Sequence, residues 1–281
     1  MIFKAWHVEP ILLGVCLLAG AHAFAASPED PQSESTSKSP LPPDTPSTVR
    51  PVNWKSFAPN ILHDQKSIWT FPAQLAHGEH WKSALGITAT VGALVALDAY
   101  DTPYFGRTSA FSGFNRSFSG RNTALATAIV PVSFYALGLV RKDSYATQTS
   151  LLAAESVADA EILVWVFKTG TGRRRPGAIP PGGNYADSWF ESYSSPLAGH
   201  GSFPSGHTIA AFSVATVFAR RYGNHRWVPW VAYGTAGLIG FSRIPLQAHF
   251  PSDVFAGAAF GYLISRYAAL RGRKTRPDVL H

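Results

Sequence analysis

Thiol chemistry is nearly absent from this chain. Its single cysteine among 281 residues is Cys16, which lies in an apolar N-terminal run. Once that run is removed, disulfides, zinc thiolates and a cysteine nucleophile all drop out. Sustained alternation of apolar and polar residues is also missing, which argues against half-buried strands. No internal repeat occurs, and low complexity is confined to residues 27–50. A nucleic-acid recognition motif is lacking as well, and the basic residues are scattered among element ends. The sequence therefore predicts no nucleic-acid partner.

Apolar residues make up 46% of the chain, enough for a sizeable core in one domain with appendages. Lys4 precedes the run Ile11 to Gly20, and Ala21-His22-Ala23 and Ala23-Phe24-Ala25 are small-x-small cleavage sites. Residues 1–26 thus read as a secretory signal peptide, because the run is short for a span. The net charge is +7, and Lys4 and Glu9 cancel, so cleavage leaves it unchanged. Such a balance suits anionic partners, including phosphate esters and acidic membrane surfaces.

Residues 27–50 are Ser, Pro, Thr and charge, and read as a disordered linker. Residues 51–80 form a short amphipathic segment carrying Phe57, Ile61, Leu62, Ile68 and Trp69, which docks on the bundle or lies on a membrane. Residues 81–272 form the helical bundle, and 273–281 a basic tail. Within the bundle, apolar segments at 82–99, 122–140, 149–168, 206–221, 227–242 and 250–270 exceed strand length and are rich in alanine. The predicted fold is all-α, a six-helix up-down bundle with short connections.

Three patterns follow in order. Lys168 is followed after six residues by Arg175-Pro176; Pro204-Ser205-Gly206-His207 comes next; five residues then separate Ser242-Arg243 from His249, and three more separate His249 from Asp253. Each fragment alone is weak, but the ordered set resembles the phosphatidic acid phosphatase type 2 superfamily. That superfamily includes bacterial acid phosphatases, lipid phosphatases and vanadium haloperoxidases. The resemblance covers residues 80–270, with its specific part at 168–253.

The residues carry the chemistry on their own terms. Phosphoryl transfer needs neutralised nonbridging oxygens, an in-line nucleophile and a proton for the leaving group. Lys168, Arg175 and Arg243 supply cations, and arginine's planar fork matches phosphate. Ser205 and the Gly206 N–H open a helix, so hydroxyl, amide and dipole converge on one anion. Asp253 lies one turn after His249, where it would fix the tautomer of a nucleophile or merely cap the sixth helix. His207, without a neighbouring carboxylate, is left as the general acid. The resemblance implies the same roles, with a phosphohistidine at His249 and His207 turning from acid to base toward water. With His207, His249 and Asp253 so used, no clustered His, Asp and Glu set is left for a metal, and no cofactor is expected.

His63, His80 and His200 read as loop or capping residues, and Arg173 and Arg174 as solvated or supporting the site from behind. Alternating helix direction puts Lys168, His207, Arg243 and His249 at one end of the bundle. Loop 100–121, with Tyr104, Phe105, Phe111, Phe114 and Phe118 among Arg107, Arg116 and Arg121, lies there too, as a rim or as a packed loop. Arg141, Lys142, Arg220, Arg221, Arg226, Arg266, Arg271, Arg273, Lys274 and Arg276 mark the other end. A positive-inside reading of six spans would put the active end outside, whereas a cleaved leader would put it in the cytoplasm. This conflict favours an exported periplasmic protein, soluble or peripheral, with an integral inner-membrane enzyme as the alternative.

The expected activity is a metal-independent phosphomonoesterase, an acid phosphatase or lipid phosphate phosphatase. The alternatives are a vanadate-dependent haloperoxidase and an integral polyprenyl diphosphate phosphatase. Tyr185, Trp189, Phe190 and Tyr193 fit a lipid entrance or an ordinary packed loop equally well.

Overall fold

The computed structural model describes residues 50, 52–78, 80–180, 182–191 and 201–270. The leader, the tether up to residue 49 and the basic tail lie outside them, as do Tyr193, His200, Arg271, Arg273, Lys274 and Arg276. Among the described residues the chain is all-α. Its helices are α1 (Trp54–Ala76), α2 (Trp81–Arg107), α3 (Ser112–Ser117), α4 (Gly120–Arg141), α5 (Ser144–Thr171), α6 (Gly206–Arg221), α7 (Trp227–Ser242) and α8 (Pro251–Ile264). A 3₁₀ turn at Pro176–Ala178 and a π turn at Ser265–Ala269 complete the elements.

The six predicted segments correspond to α2 and α4–α8, and the count rises to eight for two local reasons. The segment at 51–80 is a helix of 23 residues that runs through Pro59 and Pro72, started by a capping box between Asn53 and Ser56. Loop 100–121 is largely helical, because α2 continues past Pro103 to Arg107 and α3 follows. Elsewhere the ends have ordinary causes. Asp143 caps the start of α5, and Gly172, at φ 48°, stops it in the left-handed region that glycine adopts freely.

The core centres on α6, which is buried along Thr208–Ala219 apart from Ala210 and Phe212 and packs against α5, α7 and α8. Leu151 and Leu152 of α5 meet Val214, Val217 and Phe218 of α6. Ile209 packs with Leu163, Val164 and Ile264. Small residues let the backbones close: a Cβ on Gly257 would lie 2.8 Å from the Ser205 carbonyl oxygen, and one on Gly261 2.5 Å from that of Ile209. Ser156 donates to Ser265 across the core at 2.7 Å, a polar link between α5 and the end of α8.

α1 docks through a polar stripe. Arg50, placed by sequence at the end of the linker, is buried and donates to Asp64 and Glu155, while Asn60 donates to Glu155 at 2.9 Å. Of the apolar residues expected on one face of this segment, Leu62 and Trp69 are exposed and Ile68 packs inward.

α2 and α4 are long and apolar enough to cross a membrane, and little of either is buried. Leu85, Leu97, Leu125, Ile129, Val132 and Val140 all stand exposed on them. Between α4, α6 and α7 lies an apolar cleft lined by Ala126, Val130, Phe134, Ala215, Val231 and Ile239.

Candidate active site

The four residues expected at one end of the bundle do meet there. Lys168 closes α5, His207 opens α6, Arg243 follows α7, and His249 precedes α8. A Cβ on Gly206 would lie 3.8 Å from Lys168 Nζ. One on Gly120 would lie 3.5 Å from Arg243 Nη1 and 3.8 Å from His207 Nε2, so both groups stand beside the start of α4. Backbone bonds fasten the first and third patterns together, with Gly177 N–H donating to the Gln247 carbonyl at 2.8 Å.

His249 is buried, and its Nδ1 is 2.7 Å from the Ser202 carbonyl oxygen. A carbonyl can only accept, so Nδ1 carries the proton and Nε2 keeps its lone pair. Asp253 Oδ2, expected to fix this tautomer, stands further off at 3.6 Å. Its oxygens are occupied elsewhere: Oδ1 accepts from Arg173 at 2.6 Å, and Oδ2 accepts from the Ser202 hydroxyl and from the Phe250 N–H at 2.9 Å. Asp253 therefore caps α8, braces the Ser202 segment and lends its charge to His249 all at once. Burial pushes the His249 pKa below the ordinary histidine value against the pull of Asp253, and Lys168 and Arg175 push the same way.

His207 Nε2–H donates to the Gly120 carbonyl at 3.0 Å. Burial and then the Arg243 charge push its pKa down to about 4, which favours imidazole over imidazolium at this position. Arg243 is itself buried, which brings it down to about 10. It donates through Nε and Nη2 to the Ser242 hydroxyl and through Nη2 to the Phe118 carbonyl, which leaves Nη1 open beside His207.

Ser205 is the N-cap of α6 yet makes no side-chain capping bond. Its hydroxyl oxygen accepts from Thr208 at 2.8 Å and keeps its own proton to donate. The first N–H groups of α6 therefore have no side-chain acceptor, the condition for anion binding at a helix start. Arg175 is exposed, and its guanidinium makes no hydrogen bond or ion pair among the described residues.

Arg173 is buried, not solvated. It donates to Asp253, to Ser252 at 2.7 Å, to Ser188 at 3.3 Å and to Asp98 at 2.7 Å. Its guanidinium lies between the rings of Trp189 and Phe250, at 4.3 and 3.9 Å. Arg174 points outward and pairs with Glu191. Sequence reasoning missed Asp98, Ser202 and Gly120. Only the last left a signal, the Ser-Gly pair that opens α4 two residues before the apolar run. The rim aromatics pack: Phe105, Phe111 and Phe114 surround Phe241, and Phe118 stacks on Phe114. Trp189 packs on Arg173, while Phe190 is exposed. His63 is exposed, and His80 precedes α2 against Phe71 and Tyr267.

Such an end is that of an anion-handling bundle, with cations, bare helical N–H groups and two tautomerically fixed histidines gathered between facing helices. Residues 149–276, the segment that carries all three patterns, match the family model of the PAP2 superfamily. A lipid A 1-phosphatase of Porphyromonas gingivalis is 45% identical over 64 residues, 22% of this chain and 14% of that protein. Lipid A 1-phosphatases of Rhizobium johnstonii and Rhizobium etli are each 33% identical over 118 residues, 41% of this chain and 44% and 47% of theirs. The matched segment thus spans less than half of each relative. Among solved structures, a transmembrane PAP2-type phosphatidylglycerolphosphate phosphatase from Bacillus subtilis aligns with 73% of this chain and 93% of its own at 22% identity and a TM-score of 0.40.

Proposed function

We propose that this chain is an integral membrane phosphatase that hydrolyses the phosphate monoester of a lipid-linked sugar, such as the 1-phosphate of lipid A. The observation that carries this reading is the locked His249 tautomer, whose free Nε2 lies in a site lined by Lys168, Arg175 and Arg243. Nε2 attacks phosphorus, the bond to the leaving oxygen breaks, and a phosphohistidine forms. The cations and the start of α6 hold the three equatorial oxygens. His207 gives its Nε2 proton to the leaving oxygen and then takes one from the water that cleaves the phosphohistidine. A phosphate dianion beside His207 offsets the Arg243 charge and raises the histidine pKa toward a working value.

Two observations favour the lipid. The apolar faces of α2 and α4 are unburied, and the cleft between α4, α6 and α7 offers an apolar surface along the length of the bundle. The three curated relatives are named lipid A 1-phosphatases. The test uses the chain purified in detergent, with phosphate release followed from lipid A, phosphatidate and a polyprenyl diphosphate. Lipid A should be preferred, His249→Ala should abolish turnover, and acid quenching should trap labelled phosphate on His249. Label on any other residue, or turnover by His249→Ala, would overturn the mechanism.

A further inference from the structure

Glu161 is a carboxylate beside the phosphate seat that the chemistry above leaves unused. It lies on α5 two turns before Lys168. Both of its carboxylate oxygens, like Lys168 Nζ, would lie 3.8 Å from a Cβ on Gly206. The carboxylate thus stands next to the residue whose N–H opens α6. Although the residue as a whole reaches the surface, its carboxylate end is partly desolvated; it makes no hydrogen bond or close ion pair among the described residues, and the charge that acts on it is that of Lys168. Toward a phosphate dianion alone such a neighbour is unfavourable, because like charges repel strongly where water is partly excluded. An unengaged acceptor at this distance is useful if the substrate brings a donor there, on the group that carries the phosphate.

We infer that Glu161 is a specificity-determining residue that accepts a hydrogen bond from an N–H or O–H on the carbon next to the phosphate-bearing one. An N-acylated amino sugar 1-phosphate has that donor. A phosphatidate does not, since the neighbouring glycerol oxygen is acylated, and there the carboxylate only repels. This inference rests on the phosphatase reading above. A site built to bond a donor discriminates strongly against analogues that lack it.

The experiment compares kcat/KM of the full chain in detergent for lipid A and for phosphatidate, in wild type, Glu161→Ala and the isosteric Glu161→Gln. Wild type should prefer lipid A. Glu161→Ala should lower kcat/KM for lipid A by about tenfold or more and leave that for phosphatidate unchanged or higher, so the preference collapses. Glu161→Gln, which keeps an acceptor without the charge, should fall between. An equal change for both substrates would mean that Glu161 only supports the charge of Lys168, and would overturn the proposal. Hydrolysis with an unaltered preference would also overturn it, while the phosphatase reading stood. A wild type that releases phosphate from neither substrate would overturn both.

Discussion

Arg173 and Arg175 stand two positions apart in one arginine run and do opposite work. Arg175 is exposed and open to a ligand, whereas Arg173 is wholly engaged with Asp98, Ser252 and Asp253. Removing one partner of a buried pair leaves the others uncompensated, at a cost of about 3–5 kcal/mol. Arg173→Gln should therefore lower the unfolding temperature well beyond Arg175→Gln, which should raise KM with little effect on stability. Thermal unfolding alongside kinetics checks both. The pH profile belongs to this scale too. His249 must be neutral to attack, and burial lowers its pKa, so activity is present above that lowered value and lost as pH falls through it. The acid limb of kcat/KM should lie below about 6.5, the ordinary histidine value. The basic limb of kcat should belong to His207 with phosphate bound and should flatten in His207→Gln. An acid limb above the ordinary value would contradict the burial of His249. Motif spacing made the in-register residues legible because both histidines and Arg243 sit at helix ends that the apolar runs mark. It could not reveal Asp98, which reaches Arg173 from 75 positions earlier, nor the Ser202 and Gly120 carbonyls, since any residue has one.

At the level of elements, apolar runs located the helices where both ends carry a punctuation signal. α6 and α7 begin and end where the sequence puts them, bounded by Ser205, by the Gly223-Asn224 turn and by Ser242. α1 was underread because the heart of its docking face is polar, Asn60 and Asp64, so periodicity in apolar residues undercounts it. Pro131 did not hide α4, because the apolar run 122–140 extends on both sides of it and the helix passes through without a break. The contact of α6 with α8 yields a sign-reversed prediction. Glycine to alanine inside a helix ordinarily stabilises by about 0.5–1 kcal/mol. At Gly261 the new Cβ would meet the Ile209 carbonyl oxygen at 2.5 Å, which forces α8 away from the helix that carries Ser205 and His207. Gly261→Ala should therefore destabilise and reduce kcat, whereas Gly237→Ala, with open space around it, should be neutral or stabilising. Equal unfolding temperatures for the two variants would show that the helices are not packed this closely.

For the whole molecule, composition conceals where the apolar residues face. The 46% apolar content suits a buried core as well as a membrane body, and the soluble or peripheral reading rests on the conflict between the basic end and a cleaved leader. What the sequence cannot express is which side of α2 and α4 meets protein, because both are apolar around most of their circumference. In the structure α6 fills the core, and α2 and α4 leave Leu85, Leu97, Ile129, Val132 and Val140 facing outward, as α7 does Trp230 and Leu238. Soluble monomers rarely expose contiguous apolar patches beyond a few hundred Å². Chelation is a first check at this scale: cationic side chains and a helix start hold the oxygens in the proposed mechanism, so activity should survive EDTA, and loss restored by a divalent ion would refute it. The second check is extraction. Charge attraction between a basic surface and acidic head groups is screened within about 3 Å at 1 M salt, so a peripheral protein should leave the membrane in such a wash. Apolar side chains buried among acyl chains do not respond to salt, because their transfer to water costs roughly 25 cal/mol for each Å² whatever the ionic strength. The chain should therefore stay with the pellet through 1 M salt and come off only in detergent. Replacing Leu125, Ile129 and Val132 on the exposed face of α4 with lysine should weaken that retention without touching the site, and should leave phosphate release by any folded, extracted protein intact. Release of the unaltered chain by salt alone would instead make the bundle a peripheral one, with its exposed apolar faces covered by something other than lipid.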